Sequence, residues 1–357
     1  MNLIFKKNQT KKFSLENFSS IFVILPDGIG DLVYWTPILR FIAKSNPNAT
    51  IYYPSEFKKL DVLCGSTQLI AKKVEYLDNK NKSHIEFSLL ISDDSNLLNN
   101  YRDILNKTPI RLGLAGGRHR DKFLTHFVKK PLLNFGKHEL IRNERIISLF
   151  DQYKDYYRDL TITVSGASSN ILDYEPYVVI HPFSRGHGRE WSPDYYLTLI
   201  REFINIGLNI VITGTDKERQ SINKLLKPIL EDNSRVFNLA GNLQIDDLLH
   251  ILKNAKLTIA SSTGPLHLSA ALGANSIGIY APRRGLNPKR WGPIGENSFA
   301  ISYKKCRIKR CDNSNCVCMS KVSPEQVFNF SLDLFFKDYK IKERDFFEDQ
   351  VSLWNFR

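Results

Sequence analysis

The sequence predicts an α/β protein made of two Rossmann-like, doubly wound domains, and three observations lead to that prediction. The chain has 357 residues, enough for two domains of ordinary size. Short apolar runs, typical of strands buried on both faces, alternate with segments whose apolar residues recur at helical spacing. This alternation stops at a polar stretch, residues 165–170, and then begins again. We therefore expect domains at residues 1–165 and 171–330, followed by a helical tail at residues 331–357.

The first predicted domain opens with a strand at residues 21–25, five apolar residues that precede Pro26 and Gly28. A helix is expected over residues 31–44, because apolar side chains recur there at helical spacing and Asn-Pro-Asn follows as a stop. Further strands are expected to begin at Thr50 and to cover residues 88–92 and 110–114.

The second predicted domain repeats this pattern. Its expected strands cover residues 177–181, 208–213, 257–260 and 276–280. Its expected helices cover residues 193–206, 217–226 and 246–254, with one more after Gly264 and a last one over residues 328–336. Pro228 should end the second of these helices, because the residue before a proline disfavours helical backbone.

The composition excludes several classes of protein. Hydrophobic residues make up 42% of the chain and aromatic residues 11%, too many for a disordered protein. No apolar run approaches the ~18–20 residues of a membrane-spanning helix. The lysine-containing start lacks the apolar core of a secretory signal, and five cysteines do not form a secreted disulfide framework. A cytoplasmic protein is therefore expected.

Two basic zones account for the formal net charge of +13. Residues 101–150 carry a net charge of +7 and residues 281–310 a net charge of +8, so the remainder is slightly acidic. Such zones indicate an anionic ligand or an anionic surface, with solvated basic loops as the alternative. No recognition-helix, zinc-finger or RNP pattern accompanies them, so no nucleic-acid partner is expected.

The first motif that could take part in binding or catalysis reads Pro-Asp-Gly-Ile-Gly-Asp over residues 26–31. Gly28 and Gly30 allow a ligand to approach the backbone closely, and the start of the helix presents unpaired N–H groups. The third glycine of the dinucleotide-binding fingerprint is absent. Asp31 is either a helix N-cap or a functional carboxylate, and the residues alone leave both interpretations open.

The second motif is the polar loop of residues 181–193, which follows a predicted strand and contains Ser184, Arg185 and Arg189. Ligands bind at the carboxyl ends of strands in open α/β sheets, and arginines there suit phosphate. Thr213 ends the neighbouring predicted strand. The alternative for this motif is an exposed basic loop.

The third motif covers residues 261–273, where a strand leads into a helix. Ser262 or Thr263 can cap that helix near Gly264 and Pro265, so its N–H groups would form a phosphate seat. His267 lies one turn inside the helix and is expected only to line the site.

Two further motifs are ambiguous. Residues 281–293 concentrate arginines and lysines beside Trp291 and fit an anionic ligand, membrane headgroups or a solvated loop. A cysteine cluster follows and could hold zinc, but its spacing does not supply two C-x(2–4)-C pairs, so packed, reduced cysteines are the preferred interpretation. Its members are Cys306, Cys311, Cys316 and Cys318.

Read in order, these motifs resemble glycosyltransferase family 9, the lipopolysaccharide heptosyltransferases. The resemblance covers roughly residues 20–330. It rests on Gly-Ile-Gly-Asp31, Thr36-Pro37, His181-Pro182 with Arg189-x-Trp191, Leu239-x-Gly241, Leu248-Leu249, Thr263-Gly-Pro-Leu-His267, Ala270-Ala-Leu-Gly273, Arg290-Trp-Gly-Pro293, Cys318-Met319 and Ser323-Pro-Glu325. It implies a GT-B fold: two Rossmann-like doubly wound domains that face a central cleft, acceptor on the N-terminal side and nucleotide sugar on the C-terminal side. The implied reaction is inverting and metal-independent, with no cofactor.

The resemblance also implies roles for individual residues. Asp31 would be the general base, and Arg189 would neutralise the departing diphosphate. The expected donor-binding residues are Ser184, Arg185, Thr213, Ser262, Thr263, Gly264, Pro265 and His267. The expected acceptor-binding residues are Gly28, Gly30, Arg118, His119, Arg120 and Lys122.

The chain departs from the family pattern at two positions. Ser262 stands where the family frequently has Asp, and Glu190 stands where a second cation is common. ADP-heptose is the expected donor and an anionic glycolipid the expected acceptor, with peripheral contact to the inner membrane. Another nucleotide sugar, or a non-catalytic sugar-binding protein, are the alternatives.

Overall fold

The chain divides into two compact units, Met1–Leu160 and Thr161–Arg357, each with its own sheet. The computed structural model describes residues 12–26, 28–54, 63, 74–77, 86–92, 100–115, 123–129, 138–164, 176–184, 189–230, 234–283, 285–304, 316–336 and 351–356. In this part of the chain, no helix has the length and apolar character needed to cross a membrane.

The N-terminal unit contains a six-stranded parallel sheet. Its strands are β1 (Ser20–Ile24), β2 (Thr50–Pro54), β3 (Val74–Leu77), β4 (Leu89–Ser92), β5 (Ile110–Ala115) and β6 (His126–Lys129). Its helices are α1 (Ile29–Val33), α2 (Thr36–Ser45), α3 (Arg102–Lys107) and α4 (Glu139–Asn143), with 3-10 helices at Leu15–Asn17, Glu144–Leu149 and Asp151–Asp155.

The strand order of this sheet is β3-β2-β1-β4-β5-β6. The chain therefore winds outward from β1 to β3, returns to the other side of β1, and continues outward to β6. In doubly wound sheets the crevice for ligands opens at the carboxyl ends of the two strands where the order reverses, here β1 and β4. Pro26 and Gly28 follow β1, so the turn that leads into α1 lies at this edge of the sheet.

The predicted helix over residues 31–44 is two helices. Pro37 has no N–H to donate to the carbonyl of Val33, so α1 ends there and α2 begins with Pro37 in its first turn. The hydroxyl of Thr36 donates to the Val33 carbonyl at 2.8 Å and replaces the missing bond.

The C-terminal unit contains a seven-stranded sheet with the same winding. Its strands are β7 (Tyr177–His181), β8 (Asn209–Ile212), β9 (Val236–Asn238), β10 (Leu257–Ser261), β11 (Ser276–Tyr280), β12 (Ser298–Tyr303) and β13 (Val351–Asn355). Its helices are α5 (Pro193–Asn205), α6 (Arg219–Leu230), α7 (Ile245–Asn254), α8 (Gly264–Ala271), α9 (Pro288–Trp291) and α10 (Pro324–Phe336), with a 3-10 helix at Asp216–Glu218.

The strand order of the second sheet is β9-β8-β7-β10-β11-β12-β13. The reversal lies between β7 and β10, so the second crevice opens where these two strands end. Both predicted phosphate motifs follow these strands directly. Two Rossmann-like units are thus present, as the sequence predicts.

Two predictions for the C-terminal unit are wrong. Pro228 does not end a helix, because α6 continues to Leu230. Pro228 has no N–H to donate to the carbonyl of Lys224. Lys224 is exposed, so water can hydrogen-bond to that carbonyl instead. The tail is not wholly helical, because β13 pairs antiparallel with β12, Ile301 opposite Leu353. Side chains alternate between the two faces of a strand, so the apolar residues Val351 and Leu353 lie on the same face of β13.

Candidate functional site

Asp31 lies in the first turn of α1, at the carboxyl end of β1. Gly28 holds the N-cap position, so Asp31 is the third helical residue and the N-cap interpretation of Asp31 is wrong. The Asp31 carboxylate lies over Gly28, where a Cβ atom would clash with its Oδ2. A negative charge in the first turn is favourable beside the exposed N–H groups of the helix. The carboxylate is therefore half-buried and lies at the carboxyl end of β1.

Two aromatic residues that sequence reasoning missed support α1. Tyr34 follows the helix and is buried, and its ring lies edge-on against His138 at 4.9 Å between centroids. His138 in turn caps α4 by accepting a bond from the Leu140 N–H at 3.2 Å. No spacing pattern connects positions more than a hundred residues apart, so only the fold brings this pair together.

The second crevice brings together predicted residues from three strands. His181 ends β7, and its Nδ1 lies 3.0 Å from the Oγ1 of Thr213, the residue after β8. Ala260 of β10 pairs with His181, which places Ser261 and Ser262 beside the loop that follows β7. The predicted donor-site residues Ser184, Thr213 and Ser262 therefore lie at one edge of the sheet.

Helix α8 points its amino end into this edge. Thr263 occupies the N-cap, but its hydroxyl donates to the Ser261 carbonyl at 3.2 Å and does not cap the helix. The helix begins with Gly264 and Pro265, and a proline has no N–H. The N–H groups of Gly264 and Leu266 precede the first intrahelical bond, a position that suits an anion. His267 is buried one turn inside.

Ser262 interacts with a buried phenol. Burial raises the pKa of Tyr280, and a hydrogen bond with Ser262 opposes that shift. Tyr280 also donates to the carbonyl of Trp291 at 2.5 Å, which ties the basic loop after β11 to the end of its strand.

Arg189 is almost fully buried, 7% exposed, just after the loop that follows β7. Its neighbour Trp191 fixes this part of the backbone: the indole is buried and donates to the Val322 carbonyl at 2.9 Å. Ser192 and Pro193 then begin α5. Arginine at this position supplies a positive charge with two-pronged donor geometry.

Glu190 has a role that the sequence did not reveal. Its Oε1 accepts bonds from both the N–H of Ser184, at 2.9 Å, and the hydroxyl of Ser184, at 3.0 Å. This clamp joins the two residues on either side of positions 185–189. The sequence analysis noted Glu190 only as a departure from the family pattern, which gave no indication of its bonds to Ser184.

Several predicted residues lie outside the described part of the chain: Arg185, Arg118, His119, Arg120, Lys122, Cys306 and Cys311. Cys316 and Cys318 are buried. Within the described ranges, no group of three potential metal ligands is assembled.

Comparison with known proteins decides the family. The model of glycosyltransferase family 9, the heptosyltransferase family, matches residues 104–319, more than half of the chain. The chain belongs to glycosyltransferase family 9. It is accordingly a glycosyltransferase, and its two Rossmann-like units are those of the GT-B fold.

Relatives of this family 9 chain agree in sequence and in fold. The lipooligosaccharide heptosyltransferase 2 of Campylobacter jejuni is 24% identical over 335 residues, which cover 88% of this chain and 98% of that protein. The solved ADP-heptose lipopolysaccharide heptosyltransferase II of Escherichia coli matches with a TM-score of 0.69 at 18% identity, covering 89% of this chain and 99% of that one. A family 9 glycosyltransferase from Veillonella parvula matches with a TM-score of 0.71 at 15% identity, covering 92% and 99%.

Proposed function

We propose that this chain transfers a heptose from ADP-heptose to the inner core of lipopolysaccharide or lipooligosaccharide. Membership of the heptosyltransferase family supports the reaction class. The observation that carries the proposal is the Asp31 carboxylate, held over Gly28 at the crevice of the N-terminal sheet. A carboxylate at this edge supports a general base at the position where doubly wound sheets bind their ligands.

In the proposed reaction Asp31 takes the proton of the acceptor hydroxyl. The acceptor oxygen forms a bond to the anomeric carbon of the heptose as the bond from that carbon to the diphosphate breaks. A single displacement of this kind inverts the anomeric configuration. The proton ends on the Asp31 carboxylate, and the electron pair of the broken bond leaves with the ADP.

The C-terminal unit supplies what the leaving diphosphate requires. Charge grows on its oxygens as the bond breaks, so fixed donors aimed at them lower the barrier. We infer that the amino end of α8 and the buried Arg189 take this role in place of a metal ion, which the position of α8 after β10 and the burial of Arg189 support. Arg185, which follows Ser184 in the sequence, would add a second cation.

The acceptor is assigned to the N-terminal unit. Gly30 follows Gly28 in the same turn, and the basic residues Arg118, His119, Arg120 and Lys122 follow β5, whose carboxyl end lies on the same side of the sheet. Phosphates and carboxylates of the lipopolysaccharide core would be drawn to such a cationic segment. We place the reaction at the cytoplasmic face of the inner membrane, where a nucleotide sugar and a lipid-linked acceptor meet.

One observation favours an alternative to ADP-heptose as the sugar donor. Ser262 replaces the family's frequent Asp, and its hydroxyl interacts with Tyr280. A neutral group has replaced a charged contact to ribose or sugar hydroxyls, so a different nucleotide sugar is the alternative.

A transfer assay with defined donors tests the proposal. The full-length protein is incubated with an inner-core acceptor that lacks heptose and with ADP-heptose, UDP-glucose or GDP-mannose, with and without EDTA. We expect a mass increase of one heptose with ADP-heptose alone, unchanged by EDTA, and a product anomer opposite to that of the donor. Transfer from UDP-glucose or GDP-mannose in preference would establish the alternative donor, and transfer abolished by EDTA would refute metal independence.

A further inference from the structure

Ser262 and Tyr280 lie side by side where β10 and β11 end. Ser261 of β10 pairs with Ile279 of β11 in parallel register, so the next residues of both segments, Ser262 and Tyr280, are neighbours at the carboxyl edge of the sheet. Tyr280 is buried, and a hydrogen bond with Ser262 acts to lower its pKa. A hydrogen bond lowers the pKa of a phenol when it stabilises the charged form, so Ser262 donates and the oxygen of Tyr280 accepts.

The proton of Tyr280 is engaged elsewhere. A phenol has a single proton to donate, and Tyr280 donates it to the carbonyl of Trp291 at 2.5 Å. Burial raises the pKa of this phenol, so the proton stays on it at neutral pH. Helix α9 holds the acceptor in place, because the N–H of Trp291 donates to the Asn287 carbonyl at 3.1 Å and its indole donates to the Gly285 carbonyl at 3.0 Å. Tyr280 can therefore offer Ser262 only an oxygen that accepts.

This arrangement sets the polarity of the Ser262 hydroxyl. A hydroxyl has one proton to donate and two lone pairs that accept. With the proton directed to Tyr280, the lone pairs of Ser262 are what a ligand meets, and Ser262 is half-buried, so a ligand can reach it. A carboxylate also only accepts hydrogen bonds. Ser262 thus keeps the acceptor character of the Asp that the family frequently has at this position.

An oxygen of this kind selects a ligand group that carries a proton. The ionised oxygens of a diphosphate only accept hydrogen bonds, so they find no donor in a serine oriented this way. The ribose and the heptose of the proposed donor carry hydroxyl groups, which can donate. Ser262 precedes Thr263, the N-cap of α8, and so lies beside the proposed phosphate seat. Both sugars flank the diphosphate, so a hydroxyl of either can reach this position.

We propose that Tyr280 is a positioning residue of the donor site: it accepts the hydrogen bond of the Ser262 hydroxyl, so that the Ser262 oxygen receives a sugar hydroxyl of the nucleotide sugar and Ser262 does not donate to a phosphate. This inference rests on the proposed function, since it assumes that a nucleotide sugar occupies the crevice. The rival interpretation is that Tyr280 only ties the loop around α9 to β11, with no effect on how Ser262 meets a ligand.

The first test compares three ligands by calorimetry on the full-length protein: pyrophosphate, which has no sugar, ADP, which adds the ribose, and ADP-heptose, which adds the second sugar. We expect Ser262→Ala to leave the dissociation constant of pyrophosphate within twofold. The ligands that carry the contacted hydroxyl should bind about three- to tenfold more weakly, the size of one neutral hydrogen bond. A loss with both ADP and ADP-heptose assigns the hydroxyl to the ribose, and a loss with ADP-heptose alone assigns it to the heptose.

The second test asks whether Tyr280 acts through Ser262. Its readout is the ratio of the pyrophosphate dissociation constant to that of ADP-heptose. Tyr280→Phe keeps the ring but removes the oxygen that accepts from Ser262, so the Ser262 proton can turn to a phosphate. We expect the ratio to fall about three- to tenfold. In the Ser262→Ala background, Tyr280→Phe should change the ratio by less than twofold, because the two residues act as a unit.

Tyr177→Phe is the matched control. Tyr177 is also fully buried, and its phenol also donates to a backbone carbonyl, that of Ile251, at 2.9 Å. Tyr177 begins β7, so it lies at the end of that strand away from the crevice. The variant should leave the ratio within twofold of wild type, and melting temperatures confirm that each variant is folded.

Distinct results overturn the inference and the function. If Ser262→Ala weakens pyrophosphate as much as ADP-heptose, or weakens neither, Ser262 does not receive a sugar hydroxyl and the inference is wrong. If Tyr280→Phe leaves the ratio unchanged, or lowers it equally with and without Ser262, Tyr280 only ties the loop to the strand. If the wild-type protein binds none of the three ligands, the proposed donor itself is wrong.

Discussion

Gly28 matters to this enzyme through the side chain that it lacks. Its backbone angles, φ −72° and ψ 128°, are open to any residue, so the position does not require glycine for conformation. The requirement is steric, because the Asp31 carboxylate occupies the place of a Cβ. The sequence predicts that two glycines precede an aspartate at a ligand crevice, but not that one of them makes room for its carboxylate.

Gly28→Ala should therefore reduce activity without harming the fold. The added methyl group displaces the Asp31 carboxylate, and a misplaced base loses a large part of its ~10²–10⁴-fold contribution. We expect kcat to fall at least tenfold while ADP affinity and melting temperature stay near those of wild type. An activity within twofold of wild type would show that the carboxylate position is not critical.

Arg189 should act on the transition state more than on the ground state, because charge on the diphosphate grows as the glycosidic bond breaks. We expect Arg189→Ala to lower kcat by ~10²-fold and to raise the ADP dissociation constant by less than tenfold. Arg189→Lys, which retains the charge, should recover part of kcat. Weaker ADP binding with unchanged kcat at saturation would limit Arg189 to a binding role.

At the scale of elements, the sequence predicted the strands buried on both faces best. Residues 177–181 and 276–280 form strands with the predicted bounds. A short, continuous apolar run is typical of a strand that is buried on both faces of a parallel sheet. Short or mixed strands were missed: β9 has three residues, and β13 is an edge strand that only pairing with β12 stabilises. The break between α1 and α2 was readable in principle, since Pro37 is its cause.

Helix α10 carries a carboxylate whose environment affects stability. Burial raises the pKa of Asp333, and its Oδ2 is buried with no hydrogen-bond partner among the described residues. A raised pKa means that the protonated form fits the fold better, so its contribution to stability is complete below the usual pKa of an aspartate and is lost as pH rises through the folded-state value.

Asp333→Asn should remove the loss of folding stability that ionisation of Asp333 causes, because asparagine carries no charge at any pH. We expect the melting temperature to rise by about 1–3 °C at pH 7, and by less at pH 3.5, where Asp333 is mostly protonated in both states. The measurement is thermal unfolding of both proteins at the two pH values. An equal change at both pH values would attribute the effect to packing and not to ionisation.

At the scale of the whole molecule, one winding pattern occurs twice, and each copy brings the proposed site residues to the carboxyl ends of its central strands. Sequence reasoning could locate Asp31, Thr213 and Thr263 because they follow recognisable strands. It could not find the clamp between Ser184 and Glu190, since hydrogen-bond geometry in a loop leaves no periodic signal.

The proposed function assigns the donor to the C-terminal unit and the acceptor to the N-terminal unit. It therefore predicts that the donor site is complete within the C-terminal unit. We expect a protein of residues 161–357 to bind ADP with a dissociation constant within about tenfold of the full chain, since α8, Arg189 and Ser184 all belong to it. A protein of residues 1–160 should not bind ADP. Calorimetry on both, with circular dichroism to confirm folding, checks this, and a folded C-terminal unit without ADP affinity would contradict it.

The central claim is that Asp31 takes the acceptor proton while a separate site holds the donor. The most direct test is the single-turnover rate of heptose transfer by Asp31→Ala, measured with its ADP-heptose dissociation constant. We predict a rate ~10²–10⁴-fold below wild type with a dissociation constant within twofold. A rate within a few-fold of wild type, or a loss of ADP-heptose binding that accounts for the lower rate, would contradict the claim.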